Sequence, residues 1–513
     1  MSKPSRRPQR EEIKEQKRKK KKAANQLRAR QVSEGLTPPS RATLPNRKSE
    51  YRSVEEEREA RGEAVIEQVR IFRSKLPLLL RRLSGIPDIR NPKKIKHKLT
   101  VLLIYGILTF VYQMASRREA NREMSRPVFM QNLKLLFPEL ESLPHHDTLM
   151  RLLSRIEVEQ IEAAHIEMVR KLIRKKKFVR YLIDHCYPIA IDGTQKFARD
   201  WLWSEECLER KVRGGKEESG EEEQKQYYVY VLEANLAFQD GMSVPLMSEV
   251  LSYREGDTDQ NRQDCELKAF YRLAERLKKE FPRLPIMVLL DGLYAVGPVI
   301  ELCRKKKWQF MIVLQDKDLP SVWEEYEGLG KLVRNNGLDR SWVNRRQHFR
   351  WVNDIHYYYG QGGRKKQILH VVVCEESWEE ADKKSGKVVS KQARHAWISS
   401  KPLNRWNVHE RCNLAARHRW GIESGILVEK RHGYRYEHCF SYDWNAMRGY
   451  HYLMRLAHTI NILAQYSERL VRVFRTLGVR GFIRFVRQTM AAPWLDAGEV
   501  KEHLARPFQL RLI

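Results

Sequence analysis

Cysteine is sparse and scattered. The seven residues, Cys186, Cys207, Cys265, Cys303, Cys374, Cys412 and Cys439, form no C-x-x-C pair and no regular spacing, which argues against a zinc ribbon and a disulfide framework. Their odd number fits reduced thiols in a cytosolic protein, most of them buried as small hydrophobes. The sixteen histidines show no H-E-x-x-H motif, so a zinc hydrolase is not indicated. Gly360-Gln361-Gly362-Gly363 lacks the Lys-Ser/Thr of a P-loop and reads as a hairpin loop, so ATP dependence is not indicated. Long apolar runs are also missing. The longest, Leu99 to Met114, falls short of the roughly 20 residues that a membrane span needs and reads as a buried core helix. The basic N-terminus is not followed by an apolar stretch of the kind a secretory signal carries.

Positive charge is abundant. Lysine and arginine number 96 against 65 acids, a formal net charge of +31 over 513 residues. Solubility needs far less, so the excess points to a polyanionic partner, nucleic acid first. A membrane surface would need an amphipathic anchor or a lipidation signal, and neither is found.

Residues 1–62 have almost no apolar periodicity. They carry the run Lys17 to Lys22 and the loop-like Thr37-Pro38-Pro39-Ser40, and read as a disordered basic tail able to touch phosphate non-specifically. Residues 63–180 turn helical: Val65, Val69, Phe72 and Leu76 mark one apolar face and Leu149, Leu152, Leu153 and Ile156 another. With Arg117, Arg118, Arg122 and Lys134 on outer faces, this stretch reads as a helical domain that grips nucleic acid.

From residue 181 the pattern becomes mixed α/β. Tyr187 to Ile191 reads as a strand that stops at Asp192-Gly193. A hairpin follows a charged loop at 213–226, and after a helix near 261–280 the apolar run Pro285 to Leu290 reads as a central strand ending in Asp291-Gly292. A helix near 297–306 and a strand at Gln309 to Leu314 extend this part to about residue 320. Residues 321–403 read as a β-rich insertion, with strands at Phe349–Tyr359, Gln367–Cys374 and His395–Ser399. Helical periodicity returns at 404–466. The last stretch, 467–513, holds a basic amphipathic helix around Leu470 to Arg487, which could pack in a core, join a dimer or touch DNA.

Two acids at the ends of presumed central strands suggest a metal site. Phosphodiester hydrolysis and strand transfer use two divalent ions about 4 Å apart, and hard Mg²⁺ takes carboxylates converging from different elements. Singly, each Asp-Gly is a common turn pair; the shared setting of Asp192 and Asp291 is the signal. Asp316 and Asp318 are rivals for the second position and Asp240, in a turn, for the first.

A third acid lies in Arg419-Trp-Gly-Ile-Glu423-Ser-Gly-Ile-Leu-Val-Glu429-Lys430. Steps of four and seven residues advance about 400° and about 700° around a helix, so Arg419, Glu423 and Lys430 share a face. One carboxylate between two cations suits a metal ligand flanked by phosphate contacts, while an exposed salt-bridged face is the plainer reading. Glu429 is the alternative acid, off that stripe.

This segment resembles the Y-R-E-K signature of DDE transposases of the IS4-like insertion-sequence group: Tyr, two residues, Arg, three residues, Glu, six residues, Lys. Arg419, Glu423 and Lys430 match in type and spacing, and Ala416 stands where that family has tyrosine. Asp192-Gly193-Thr194 resembles the family's first-acid motif and Asp291-Gly292 its second. The similarity covers roughly residues 140–466.

The resemblance implies an RNase H-like mixed-sheet core interrupted by the β-rich insertion. It implies a catalytic, metal-holding triad of Asp192, Asp291 and Glu423, with Mg²⁺ as cofactor and Mn²⁺ able to substitute. It further implies cut-and-paste action on double-stranded DNA, both transposon ends and target, by a homodimer in a synaptic complex, with no membrane partner and a nucleoid-associated location. Arg419 and Lys430 would contact DNA phosphate, and Trp397 would stack a flipped base, although a buried strand tryptophan is the plainer reading. Two other readings stand beside it: a metal nuclease on the same core without strand transfer, and a transposase-derived DNA-binding protein that has lost its chemistry.

Overall fold

The computed structural model describes residues 7–38, 44–46, 48–212, 224–252, 265–333, 335–382 and 384–513. Most of the expected charged loop (213–223) and the polar segment at 253–264 lie outside these residues. The fold is mixed α/β, as expected. Along the chain come α1 (Arg7–Ser33), then the helical run α2 (Val54–Arg73), α3 (Leu76–Leu83), α4 (Leu99–Val111), α5 (Arg117–Met124), α6 (Pro127–Leu136), α7 (His146–Leu153) and α8 (Glu159–Arg174). Strands β1 (Tyr187–Arg199), β2 (Leu208–Val212), β3 (Gln224–Ala237) and β4 (Ser243–Leu251) precede α9 (Glu266–Glu280), β5 (Ile286–Leu290), α10 (Gly297–Lys305), β6 (Gln309–Val313) and α11 (Pro320–Leu332). Four long or paired strands follow, β7 (Gly337–Trp342), β8 (Arg345–Tyr359), β9 (Lys365–Ala381) and β10 (Val388–Ser399). The chain closes with α12 (Trp420–Arg431), α13 (Trp444–Gln465), α14 (Val471–Met490) and α15 (Ala497–Ala505).

These elements divide into two compact units. The larger holds residues 44–286 and 418–513, the smaller residues 1–43 and 287–417. In the larger unit α13 is the hub. It is buried along almost its whole length, and the expected core helix α4 is likewise buried from end to end except at its second residue. At 13 residues α4 is about 20 Å long, and among the described residues no helix is long and apolar enough to cross a membrane. Two glycines permit close approach: a Cβ on Gly106 would meet Leu453 at 2.7 Å and Leu149 at 2.9 Å, and one on Gly449 would meet Leu153 at 2.9 Å.

The helices of 63–180 pack against α13 within the larger unit. Polar cross-links tie them to α13 as well: Gln68 Nε2 donates to Asn461 Oδ1 at 3.1 Å, and His165 Nε2 lies 2.8 Å from Thr459 Oγ1. The apolar stripes of α2, α7 and α8 have their partner nearly 300 or more residues away in sequence, which local periodicity does not reveal.

Still within the larger unit, β3 is the central strand. Antiparallel β1 lies along one edge, and β2 and β4 share the other.

In the smaller unit β5 and β6 run parallel, and β6, β10, β9, β8 and β7 follow as antiparallel neighbours. The β-rich segment is thus not a separate inserted sheet, because Trp397 to Ser399 of β10 pair with Met311 to Val313 of β6. Nor is the basic tail without structure, since α1 spans Arg7–Ser33. Its Lys, Arg, Glu, Gln and Ala are strong helix formers even though they supply no apolar stripe. Leu27 is buried, Gln31 Nε2 donates to the Glu379 carbonyl at 3.1 Å, Arg30 pairs with Glu379, and Glu34 pairs with Arg346 at 2.8 Å.

Candidate active site

Asp192 is not at a strand end. Strand β1 runs on to Arg199, with a bulge between Gln195 and Phe197, and Asp192 stands opposite Glu233 of β3. Asp-Gly suggests a turn, but Thr194 to Arg199 find a full ladder along β3, and cross-strand pairing overrides the local preference. Directly paired residues share a face, so Asp192 and Glu233 project to the same side of β1 and β3.

The helical stretch read at 404–466 is broken in its first part. A π-helical turn (Glu410–Ala415) and a 3₁₀ turn (Ala416–Arg419) lead into α12. Arg419, capping α12, is 9 % exposed. Its guanidinium lies between two acids: Nη2 donates to Glu423 Oε1 at 2.9 Å and Nη1 is 3.9 Å from Asp192 Oδ2. A strand carboxylate and a helix carboxylate therefore converge on one cation. Glu423 is half exposed and Asp192 mostly covered, so the pair opens to solvent on the helix side. In this arrangement the charge of Arg419 is engaged by two carboxylates.

Glu429 is disposed quite differently. It is fully buried, with Arg455 Nη1 3.1 Å from its Oε1 and His458 Nδ1 2.6 Å from the same oxygen. Arg455 also lies 3.1 Å from Glu233 Oε2, and His451 Nε2 lies 3.3 Å from Glu233 Oε1. Burial pushes both carboxyls up, but Arg455 with His451 and His458 outweighs it and holds both below the ordinary glutamate range. Beside them burial draws the Lys196 ammonium down to about 8. Arg455 on α13 thus fastens the helix carrying Glu423 to the strand that pairs with Asp192. Sequence reading missed these residues, although Arg455 and His458, charged or polar and three apart in the apolar run Leu453 to Leu463, were a visible signal.

Asp291 belongs to the smaller unit. It follows β5 directly, as expected, and caps a 3₁₀ turn (Gly292–Tyr294), its Oδ1 accepting from Leu293 N at 3.0 Å. A Cβ on Gly292 would meet Gln315 at 2.8 Å and Asp318 Oδ2 at 3.0 Å, so the turns after parallel β5 and β6 lie side by side. The rival acids have local duties: Asp318 Oδ2 accepts from Gln315 N at 3.1 Å, Asp316 pairs with Arg394 at 2.6 Å, and Asp240 Oδ1 accepts from Met242 N at 3.1 Å in its turn.

Lys430, at the far end of α12, pairs with Glu437 at 3.1 Å and remains partly exposed. Trp397, on β10, is only 3 % exposed, stacks on His395 at 5.7 Å and lies under Arg417 at 5.6 Å, as the plainer reading of a buried strand tryptophan has it. A buried indole with its faces covered offers nothing to a base. Trp420, next to Arg419, is by contrast exposed.

Among the described residues no three His, Cys, Asp or Glu side chains are grouped closely enough to hold a metal ion. The donor chemistry nonetheless fits one, since Asp192 and Glu423 are hard oxygen ligands already gathered around a positive charge.

Residues 210–460 match the model of the Transposase DDE domain, and residues 80–169 match the model described as DDE_Tnp_1-associated. The first span contains Asp291, Arg419, Glu423 and Lys430 and begins after Asp192. No curated protein matches the chain.

Proposed function

We propose that this chain, a DDE-type transposase by the family models it matches, cleaves DNA at the ends of a mobile segment and joins those ends to target DNA. The mixed α/β fold is consistent with an RNase H-like core of that family. The observation that carries the reading is the convergence of Asp192 from β1 and Glu423 from α12 on Arg419. Carboxylates brought from separate elements toward one cation are what a phosphodiester-cleaving site requires, and a merely solvated helix stripe would not reach a strand acid.

In this reading Asp192, Asp291 and Glu423 hold divalent metal, Mg²⁺ by their oxygen chemistry, with Mn²⁺ as substitute. The metal supplies activation of the attacking oxygen and stabilisation of the leaving one. The chain's own part is to position it. Arg455 holds α12 against β3 through Glu429 and Glu233, and Arg419 holds Glu423 and Asp192, the two carboxylates of the larger unit that would bind the metal, near one another. Lys430 faces the phosphate backbone further along α12. Action as a homodimer bound to two DNA ends completes the proposal.

The test is a labelled duplex carrying the DNA that flanks the chain's own reading frame, incubated with Mg²⁺ or EDTA and a second target duplex. Metal-dependent cleavage followed by a joined product supports the proposal. Cleavage without joining identifies a metal nuclease, and binding without cleavage identifies a DNA-binding protein that has lost its chemistry.

A further inference from the structure

The C-terminal helix α14, whose purpose local sequence left open among core, dimer and DNA, lines a groove of about 890 Å³ in the larger unit. Its walls come from α5, α6, the end of α12 and α14. Seven cationic side chains and two carboxylates line it. The carboxylates are both engaged: Glu119 pairs with Arg487 at 2.6 Å and Glu123 with Arg126 at 3.0 Å. Arg431, Arg435, Arg480 and Arg484 are exposed, and among the described residues no carboxylate forms an ion pair with any of them.

The helix is built for this arrangement. Phe474, Phe482, Phe485, Val486 and Met490 form its buried side, and Arg61 of α2 clasps that side through the Thr489 hydroxyl at 3.2 Å. Gly478 breaks the helix with a φ of +70°, and Arg480, Arg484 and Arg487 then recur at i, i+4 and i+7 on one face of the second segment. That face spans about 10 Å, roughly three nucleotide steps of one strand at about 3.4 Å each. Opposite it lie Arg431, the last residue of α12, and Arg435 in the turn that follows, the latter in the left-handed region at φ 55°. Gly433, at φ 106°, bends the chain there because a side chain would collide with Gln113. Tyr436 N closes the turn on the Glu429 carbonyl at 3.1 Å.

We infer that this groove holds the phosphodiester backbone of DNA, on the strand leading away from Glu423. The inference rests on the transposase reading above, and it assigns α14 and the α12 turn as the surface that grips the substrate. Lys430 stands seven positions after Glu423 on α12, about 10 Å along the helix, so one continuous strand reaches both. A second copy of the chain is the poorer occupant, since a molecule of net charge +31 gains little by facing four arginines without an ion pair among the described residues, whereas phosphate neutralises them and releases counterions.

The test uses the full chain and a fluorescent DNA duplex, with anisotropy read from 50 to 300 mM salt. Wild type is compared with Arg480→Gln/Arg484→Gln, with Arg431→Gln/Arg435→Gln, and with Lys93→Gln/Lys94→Gln in an exposed turn outside the groove; thermal melting verifies folding. Each groove pair is expected to weaken binding at least tenfold more than the control pair and to lower the slope of log K against log salt by about two. A slope and affinity equal to the control's overturn the inference. So does a fall in oligomer mass with DNA binding intact, which would assign the face to a second copy. Wild-type cleavage of the same duplex is scored in parallel: no cleavage with a reduced slope in the variants sinks the transposase reading alone, and normal cleavage with an unchanged slope sinks the groove alone.

Discussion

Glu429 and Arg455 form a fully buried ion pair, with the two guanidinium–carboxylate distances at 3.1 and 3.2 Å. Six residues from Glu423 on the same helix, Glu429 is a glutamate whose charge is spent on the architecture and not on a ligand. Removing one partner leaves the other charge buried without its counter-ion. Arg455→Met is therefore expected to cost about 3–5 kcal/mol, read as a lower midpoint in urea unfolding, and Glu429→Gln a comparable amount. A midpoint within error of wild type for both would show that the pair does not fasten α12.

Arg419 stands where a metal would compete. Mn²⁺ that binds only the native state at about 100 times its dissociation constant stabilises by about 2.7 kcal/mol, so metal should raise the melting temperature of wild type. Asp192→Ala and Glu423→Ala should each lose most of that rise. In Arg419→Ala an ion would meet no competing guanidinium, and its apparent affinity should increase, while the metal-free protein melts earlier. An Arg419→Ala protein that binds Mn²⁺ no better than wild type would mean that the arginine and the metal do not share a place.

His146 and His165 are buried neutral. Desolvation pulls each down to about 3 from the usual 6.5, with Arg117 adding to it for His146 and Arg455 for His165. The unfolded chain takes up these protons first, so the native state loses stability as pH falls from about 6.5 toward 3, at up to about 1.4 kcal/mol per pH unit for each histidine. Denaturant midpoints at pH 7.5, 6 and 5 should fall progressively, and His165→Gln should flatten that fall. A pH-independent midpoint across this range would contradict the burial of these rings.

Trp397→Ala is expected to cost about 3–5 kcal/mol as a core truncation, whereas Trp397→Phe should fold and bind DNA within twofold of wild type. Anisotropy on a duplex with an unpaired base checks this. A tenfold loss in a folded Trp397→Phe protein would return the indole to the DNA surface.

The legible parts of the molecule were those set by short-range pattern. The apolar run at Pro285–Leu290 gave its strand and left Asp291 at the following turn, and the Arg-x3-Glu spacing put Arg419 and Glu423 in contact. What stayed hidden depended on distant partners. Asp192-Gly193 looked like a strand end because the ladder that carries β1 onward is supplied by β3 across a polar stretch. The packing partner of 63–180 is α13 and the pairing partner of the β-rich segment is β6, both supplied by the fold and not by local pattern. Residues 7–33 lacked an apolar stripe, so their helix was not signalled by periodicity, although their composition favours it. Arg455 and Glu233 lie 222 residues apart, and only the fold brings their charges together.

Cleavage of a labelled duplex with Mg²⁺ by wild type, Asp192→Ala, Asp291→Ala and Glu423→Ala, with DNA binding measured alongside, tests the proposed triad most directly. Metal-dependent cutting by wild type, a loss of at least a hundredfold in each variant, and binding retained in all four are expected. Normal cutting by Glu423→Ala or Asp192→Ala would contradict the triad, because the two acids that converge on Arg419 would then have no part in the chemistry.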